Sequence, residues 1–197
     1  MAAESVAAPD DVITAVTVSS GPKEIASPEE SAAQAPAVLA AIRDNAAGTD
    51  VAIIAAFSDP GLDEARRTFD FPVIGIGQAL LKRAARAGRF VLIVPNPIND
   101  PIYRRQIDQY GVAERLIRIR YLYPLLQGRA KTPELMLDLI ADQARKAAVE
   151  DRAEVVAVGG GPLAGVDRHV ASAVTIPVFE SITSAVIVAR DLGAYGL

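Results

Sequence analysis

The chain predicts an α/β protein made of two pseudo-symmetric lobes, each a parallel sheet flanked by helices, with a ligand cleft between them. Three observations carry this expectation. Short apolar runs rich in Val and Ile alternate with Ala-rich helical stretches along nearly the whole length, which is the pattern of parallel βαβ units. Most of these runs are continuously apolar, as strands covered on both faces are. The chain also repeats itself: "DVAIIAAFSDPGLDEARRTFDFPVIGIGQALLKRAARAG" lies over "AEVVAVGGGPLAGVDRHVASAVTIPVFESITSAVIVARDLG". With one inserted residue, Val51 meets Val155, Pro72 meets Pro177 and Gly88 meets Gly193. Each copy reads strand, small-residue loop, short helix, Pro-led strand, helix, glycine stop. The first lobe is assigned residues 1–90 with 180–197 and the second residues 91–179.

Taken in order, "VITAVTV" (12–18) reads as a β-branched strand ending in the turn-like "SSGPK". A helix follows from Ser27, a good N-cap with Pro28 at the first position and Glu30 in capping-box position; Pro36 predicts a kink or a later start. "DVAIIAA" is a strand, "LDEARRTF" a short helix, and "FPVIGI" a strand. "QALLKRAARA" is a helix stopped by Gly88, and "RFVLIV" is the next strand. "DPIYRRQIDQYG" is a helix, "ERLIRIR" a strand, and the longest helix starts after Thr132 with Pro133. The chain closes with the strand "EVVAVG", a helix near 163–173, the strand "IPVFE" and the helix "SAVIVARDLG".

The totals narrow the function classes. At 197 residues, 51% hydrophobic and 22% charged, the chain buries a sizeable core. Aromatics at 5% with no Trp, a net charge of −4 and a pI near 5.1 argue against a nucleic-acid partner. Arg115, Arg118 and Arg120 read as one solvated strand face. The absence of cysteine excludes a disulfide scaffold, thiolate metal sites and thiol catalysis. "MAAESVAAPDD" has neither a basic nor an apolar leader region, and no apolar run is long enough for a membrane span. The expectation is a cytoplasmic protein with no membrane partner.

In parallel sheets, ligands bind beyond the carboxyl ends of the strands. The loops after residues 55 and 158 are therefore the candidate site. "GGGP" (159–162) either presents backbone N–H groups and a helix N-terminus to an anion or is a tight turn that needs glycine. It does not match the phosphate loop of nucleotide hydrolases, and "GIGQAL" from Gly75 breaks the dinucleotide pattern at Leu80. Ser58 would need a base, and the sole histidine is His169, which reads better as a surface or packing residue; a lone histidine makes no metal site, so none is expected. Glu180, Ser181, Thr183 and Ser184 either bind a polar ligand or cap the last helix, with Ser181 as N-cap. Asn96 and Asn99 leave the same two choices.

"IIAAFSDPGLDEAR", "FPVIGIGQALLKRAARAGRF", "AEVVAVGGGPLAG" and "IPVFESITSAVIVA" together resemble the Asp/Glu/hydantoin racemase superfamily, on the branch of the hydantoin and allantoin racemases. "VTVSSGPKEI" and "YGV" (110–112) fit as well, and the likeness runs from about Asp11 to Leu192. The resemblance implies two pseudo-symmetric lobes and cofactor-independent proton transfer at the carbon next to a carbonyl. Two cysteines, one per lobe, work on opposite faces of a small carboxylate, amino-acid derivative or hydantoin. Those cysteines map to Ala56 and Gly160 here, so the two-thiol mechanism cannot operate. A further first strand with an Asn-bearing loop belongs to the family pattern, and the present chain starts past it. Where a pair of threonines often follows the strand equivalent to "RFVLIV" in the family, this chain reads Val94-Pro95-Asn96.

Three hypotheses follow from the resemblance. In the first, an isomerase or decarboxylase works through Asp59, Glu180 or His169 as acids or bases, with Phe57, Ser58, Gly159, Gly161 and Asn96 binding substrate. In the second, a non-catalytic relative binds a metabolite or serves as a subunit. In the third, the family cysteines have been replaced. Apolar helices such as "SAVIVA" suggest a homo-oligomer.

Overall fold

A computed structural model describes residues 2–22 and 24–192. Gly193, the glycine stop of the second copy, lies outside the described residues. Among the described residues, seven α-helices and six strands order themselves as α1 (Pro28–Asp44), β1 (Ala52–Ile54), α2 (Leu62–Thr68), β2 (Val73–Gly75), α3 (Ile76–Ala87), β3 (Phe90–Val94), α4 (Asp100–Gln109), β4 (Leu116–Tyr121), α5 (Pro133–Val149), β5 (Val155–Val158), α6 (Asp167–Val170), β6 (Val178–Glu180) and α7 (Ser181–Arg190). They form two parallel sheets: β1 beside β2, and a four-stranded sheet in the order β4-β3-β5-β6. This is the expected α/β architecture, and two sheets accord with two lobes.

The internal repeat is visible in single hydrogen bonds. The Ala52 N–H donates to the Pro72 carbonyl at 3.0 Å, and the Val156 N–H donates to the Pro177 carbonyl at 2.9 Å. These are the same bond in the two copies, and the prolines leading β2 and β6 serve only as acceptors in it.

The helices after the Pro-led strands cross over. α3 sends Leu80, Leu81 and Ala84 onto the four-stranded sheet, against Phe90, Leu92, Val155 and Ala157. α7 sends Ala185 and Val188 onto the two-stranded sheet at Ile74, with Val51 at the edge of the cluster. The far face of the larger sheet packs on α5 and α6 through Val91, Ile93, Val156, Ile140 and Val170. α1 and α2 cover the far face of the smaller sheet through Val38, Leu39, Leu62 and Ala65. The apolar helix α7, offered by the sequence as an oligomer contact, thus buries Ala185 and Val188 inside its own chain.

Local sequence rules account for most element ends. The Ser27 hydroxyl accepts from the Glu30 N–H at 3.2 Å, and Glu30 reaches back to the Ser27 N–H at 3.1 Å, a complete capping box. The Thr132 hydroxyl accepts from the Leu135 N–H at 3.3 Å. Helix α1 runs through Pro36 without a break.

Four expectations are corrected. Residues 12–18 form no strand; Val12 is 92% exposed and Val16 51% exposed. β-branched composition made them strand-like, yet no described strand pairs with them. Helix α3 begins at Ile76, two residues before Gln78, for a reason given below. The helix expected near 163–173 is broken into a 3₁₀ turn at Gly161–Leu163, the short α6 and a second turn at Ala171–Ala173. Arg120 is not solvated: its Nε and Nη2 reach the Asp151 carboxylate at 2.8 and 2.7 Å, and Nη1 donates to Gln143 at 3.0 Å. No described helix is long and apolar enough to cross a membrane.

Asp151 has 3% of its side chain exposed, and Arg118 adds a contact at 3.2 Å. Replacing Arg120 with Ala leaves this buried carboxylate with one exposed partner. The expected loss is about 2–3 kcal/mol in urea unfolding; Arg118→Ala, which removes an exposed contact, should cost less than about 1 kcal/mol.

Candidate functional site

The loops after β1 and β5 meet, as the repeat predicts. The Phe57 ring lies against the α-carbon of Gly159, where a Cβ would come within 2.7 Å of the ring edge. Phe57 also makes an edge contact with Tyr103 at 5.7 Å between centroids, and it is buried. Of the residues expected to bind substrate, Phe57 therefore joins the loops by packing.

Asp59 sits at the centre of the first loop. It is 6% exposed and holds a left-handed backbone, φ +50°, which Asp tolerates better than bulkier residues. Its Oδ1 accepts from the Gly77 N–H at 2.9 Å, and its Oδ2 accepts from the Gln78 N–H at 2.7 Å, the Tyr110 hydroxyl at 2.8 Å and the Gln106 amide at 3.2 Å. Gly77 and Gln78 are the second and third residues of α3, so the carboxylate caps that helix from another loop. This cap explains why α3 starts at Ile76. It also explains "GIG": a Cβ on Gly75 would strike the Asp59 carboxyl, and one on Gly77 would strike the Phe57 carbonyl. The glycines serve a buried carboxylate, not a dinucleotide.

Burial pushes the Asp59 carboxyl up to about 7, against the pull of its backbone and Tyr110 donors and of the Arg66 guanidinium. Burial likewise raises the Tyr110 phenol, with Asp59 adding to the shift, so Tyr110 stays a donor.

Glu180 occupies the place of Gly75 in the second copy, at the same offset that relates Pro72 to Pro177. It caps its own helix: Oε2 accepts from the Ile182 N–H at 2.8 Å and Oε1 from the Thr183 N–H at 2.5 Å. Ser181, expected as the N-cap, is instead the first helical residue. Its hydroxyl accepts from the Gly160 N–H at 3.3 Å and donates to the Val158 carbonyl at 3.4 Å, tying down the glycine loop.

The other expected site residues scatter. Ala56 and Gly160 are half-buried. Gly160 holds φ +115°, a region that favours glycine, and a Cβ there would lie 3.3 Å from Pro95. Gly161 lies close to the Ala55 carbonyl, so the loops touch on this side too. The Ser58 hydroxyl is buried without a hydrogen-bond partner, and His169 is exposed on α6, so the two form no pair. The Asn96 carboxamide accepts from the Ile98 N–H at 3.2 Å, capping the turn Pro97–Asn99, while Asn99 donates to the Ile25 carbonyl at 2.6 Å. Two surface hollows lie elsewhere, one among Glu4, Ala8, Asp11 and Ile13, the other among Arg66, Phe69, Phe71 and Leu192.

Sequence reasoning missed Tyr110, Gln106 and Gly77. The signal for the last was present, because a helix that opens on Gly-Ile-Gly without a local cap needs an acceptor from outside.

The Asp/Glu/hydantoin racemase family model matches residues 1–189. The chain belongs to that family. It is 29% identical to a hydantoin racemase of Pseudomonas sp. (strain NS671), over 98% of this chain and 79% of that one. It is 31% identical to a hydantoin racemase of Rhizobium meliloti, over 87% and 72%. Among solved structures, the allantoin racemase from Klebsiella pneumoniae is 29% identical and superposes with a TM-score of 0.86, covering all of this chain and 81% of that one. Arylmalonate decarboxylase shares the fold at a TM-score of 0.58 and 20% identity. This member of the racemase family has no cysteine.

Two predictions follow from this geometry. Because burial raises Asp59, the native state holds a proton that the unfolded chain, whose Asp ionises near about 3.9, has already released. Native stability should therefore fall as pH rises from about 4 to 7. Thermal unfolding of the wild type and Asp59→Asn across that range checks this: the wild type should lose Tm relative to the variant. In the glycine loop, Gly160→Ala should cost about 1–3 kcal/mol through its left-handed backbone. Gly159→Ala should cost a similar amount, about 1–3 kcal/mol, by overpacking on Phe57. Urea unfolding measures both.

Proposed function

We propose that this chain is a thiol-free racemase-family protein. It takes a small carboxylate, amino-acid derivative or hydantoin between the loops at 56–59 and 159–162, without a cofactor, and does not turn it over by the two-thiol route. The observation that carries this reading is the side-chain content of the two family positions: Ala56 and Gly160 bear no group that can move a proton. Both nearby carboxylates support it as well. Asp59 and Glu180 face helix N-termini, and their oxygens accept hydrogen bonds from those helices. In this reading they are positioning residues. They hold α3, α7 and the two loops, and so shape the space that a ligand enters.

A second reading has one observation of its own. A carboxyl pushed to about 7 is matched to proton transfer at neutral pH, and Asp59 meets that condition. In that case Asp59 abstracts the proton next to the carbonyl. Four donors already crowd its oxygens, which favours the first reading.

Proton NMR in D2O separates the two readings, using enantiopure 5-substituted hydantoins, allantoin, aspartate, glutamate and an arylmalonate. Saturation transfer to a ligand with its α-proton signal intact supports binding without turnover. Loss of that signal, or release of CO2, above a heat-killed control refutes it. Asp59→Asn would then test the carboxyl as base, with the variant's fold checked by circular dichroism.

A further inference from the structure

The hollow between the end of α2 and the start of β2 joins one charged group to an apolar wall. Its volume is about 270 Å³. Arg66, from the last turn of α2, lines it and is half-buried. Its guanidinium is anchored on two neutral acceptors: Nε donates to the Val73 carbonyl at 2.8 Å, and Nη2 donates to the Gln78 side-chain oxygen at 2.8 Å. Among the described residues no carboxylate forms an ion pair with it, and its Nη1 group donates to no acceptor. Burial holds this guanidinium below its ordinary value, with the Asp63 charge pulling the other way. A partly desolvated cation with donors to spare favours an anion beside it, and the planar fork of arginine suits a carboxylate. The rest of the wall is mostly apolar. The half-buried Phe69 and Phe71 rings stack at 5.5 Å between centroids and 18° between planes, and Leu192 continues the surface.

We propose that this hollow is a second ligand site, separate from the loops, for a small monocarboxylate with an aromatic body. The carboxylate pairs with the Arg66 guanidinium and the ring packs against Phe69 and Phe71. An apolar lining with one charged group to fix orientation is the usual build of a small-molecule site. A charge-assisted pair and ring packing are the two interactions it offers. Asp70 also lines the hollow. It is exposed, so water and salt screen its charge, and it disfavours a second negative charge on the ligand. The site is joined to the loop at 56–59 without belonging to it. Gln78, which receives Arg66 on its side chain, donates its N–H to Asp59 at 2.7 Å. Arg66 thus stands two hydrogen bonds from the carboxylate that caps α3.

The test titrates the full chain with phenylacetate and follows backbone amide and arginine Nε–H signals by two-dimensional NMR. Saturable shifts at the Arg66 Nε–H and at the Phe69 and Phe71 amides are expected. Phenylacetamide keeps the ring without the charge, and acetate keeps the charge without the ring. Each should bind at least about tenfold more weakly. Arg66→Gln should lose the response, with the variant's fold checked by its own spectrum. The two control ligands need no variant to fold. Asp70→Asn, an exposed change, should bind phenylacetate at least as tightly as the wild type. The proposal is overturned by the absence of saturable shifts at these residues, by equal binding of phenylacetate and either control, or by an unchanged response in folded Arg66→Gln. Shifts confined to residues 56–59 and 159–162 also overturn it, because the probe would then occupy the space between the loops. Weaker binding by Asp70→Asn does so too, since Asp70 would then hold the ligand.

Discussion

Four donors from two helices converge on the carboxylate of Asp59: two backbone N–H groups that open α3, and Gln106 and Tyr110 at the end of α4. Most of the central architecture hangs on this convergence. α3 is the helix that leaves the two-stranded sheet and covers the four-stranded one, so fixing its first turn fixes how the two sheets sit. Gln106 donates to the Phe57 carbonyl at 2.6 Å as well, which holds the ring that packs on Gly159. A carboxylate buried this deeply is tolerable because donors surround it. Removing it would strand several buried donors at once.

The two copies of the repeat satisfy one physical requirement by different means. Each supplies a carboxyl acceptor at the N-terminus of its second helix. In the second copy Glu180 stands directly before the helix and folds back onto it. In the first copy that position is Gly75, and the acceptor comes from the loop after β1. The exchange has a cost in backbone freedom, since Asp59 can approach only where Gly75 and Gly77 carry no side chain. A pseudo-symmetric fold therefore keeps its geometry while the residues that enforce it move from one loop to another.

This exchange also marks where the sequence was legible. Periodicity, proline and glycine placement and the capping box at Ser27 identified most strands and helices, because each depends on neighbours within a few residues. The repeat was readable for the same reason: its markers, Pro72 and Pro177, are local. The role of Asp59 was not readable, because Tyr110 and Gln106 come to it from 51 and 47 residues away. Residues 12–18 misled in the opposite sense. Their β-branched composition meets the local rule for a strand, but a strand exists only with a partner, and pairing is not local. Arg120 was misread on the same ground, since its partner Asp151 is 31 residues on.

The separation between scaffold and chemistry explains how a racemase fold can persist without thiols. Every buried interaction described around the loops involves backbone groups, carboxylates, hydroxyls or rings, and none needs a side chain at 56 or 160. The Gly160 N–H is held by Ser181, and the Gly159 α-carbon by Phe57, whatever the next residue carries. A chain without thiols therefore keeps all of these contacts. The two loops differ as places for a longer side chain. Ala56 already has a Cβ to extend. Gly160 has settled into a left-handed conformation against Pro95, so a side chain there must first turn the backbone.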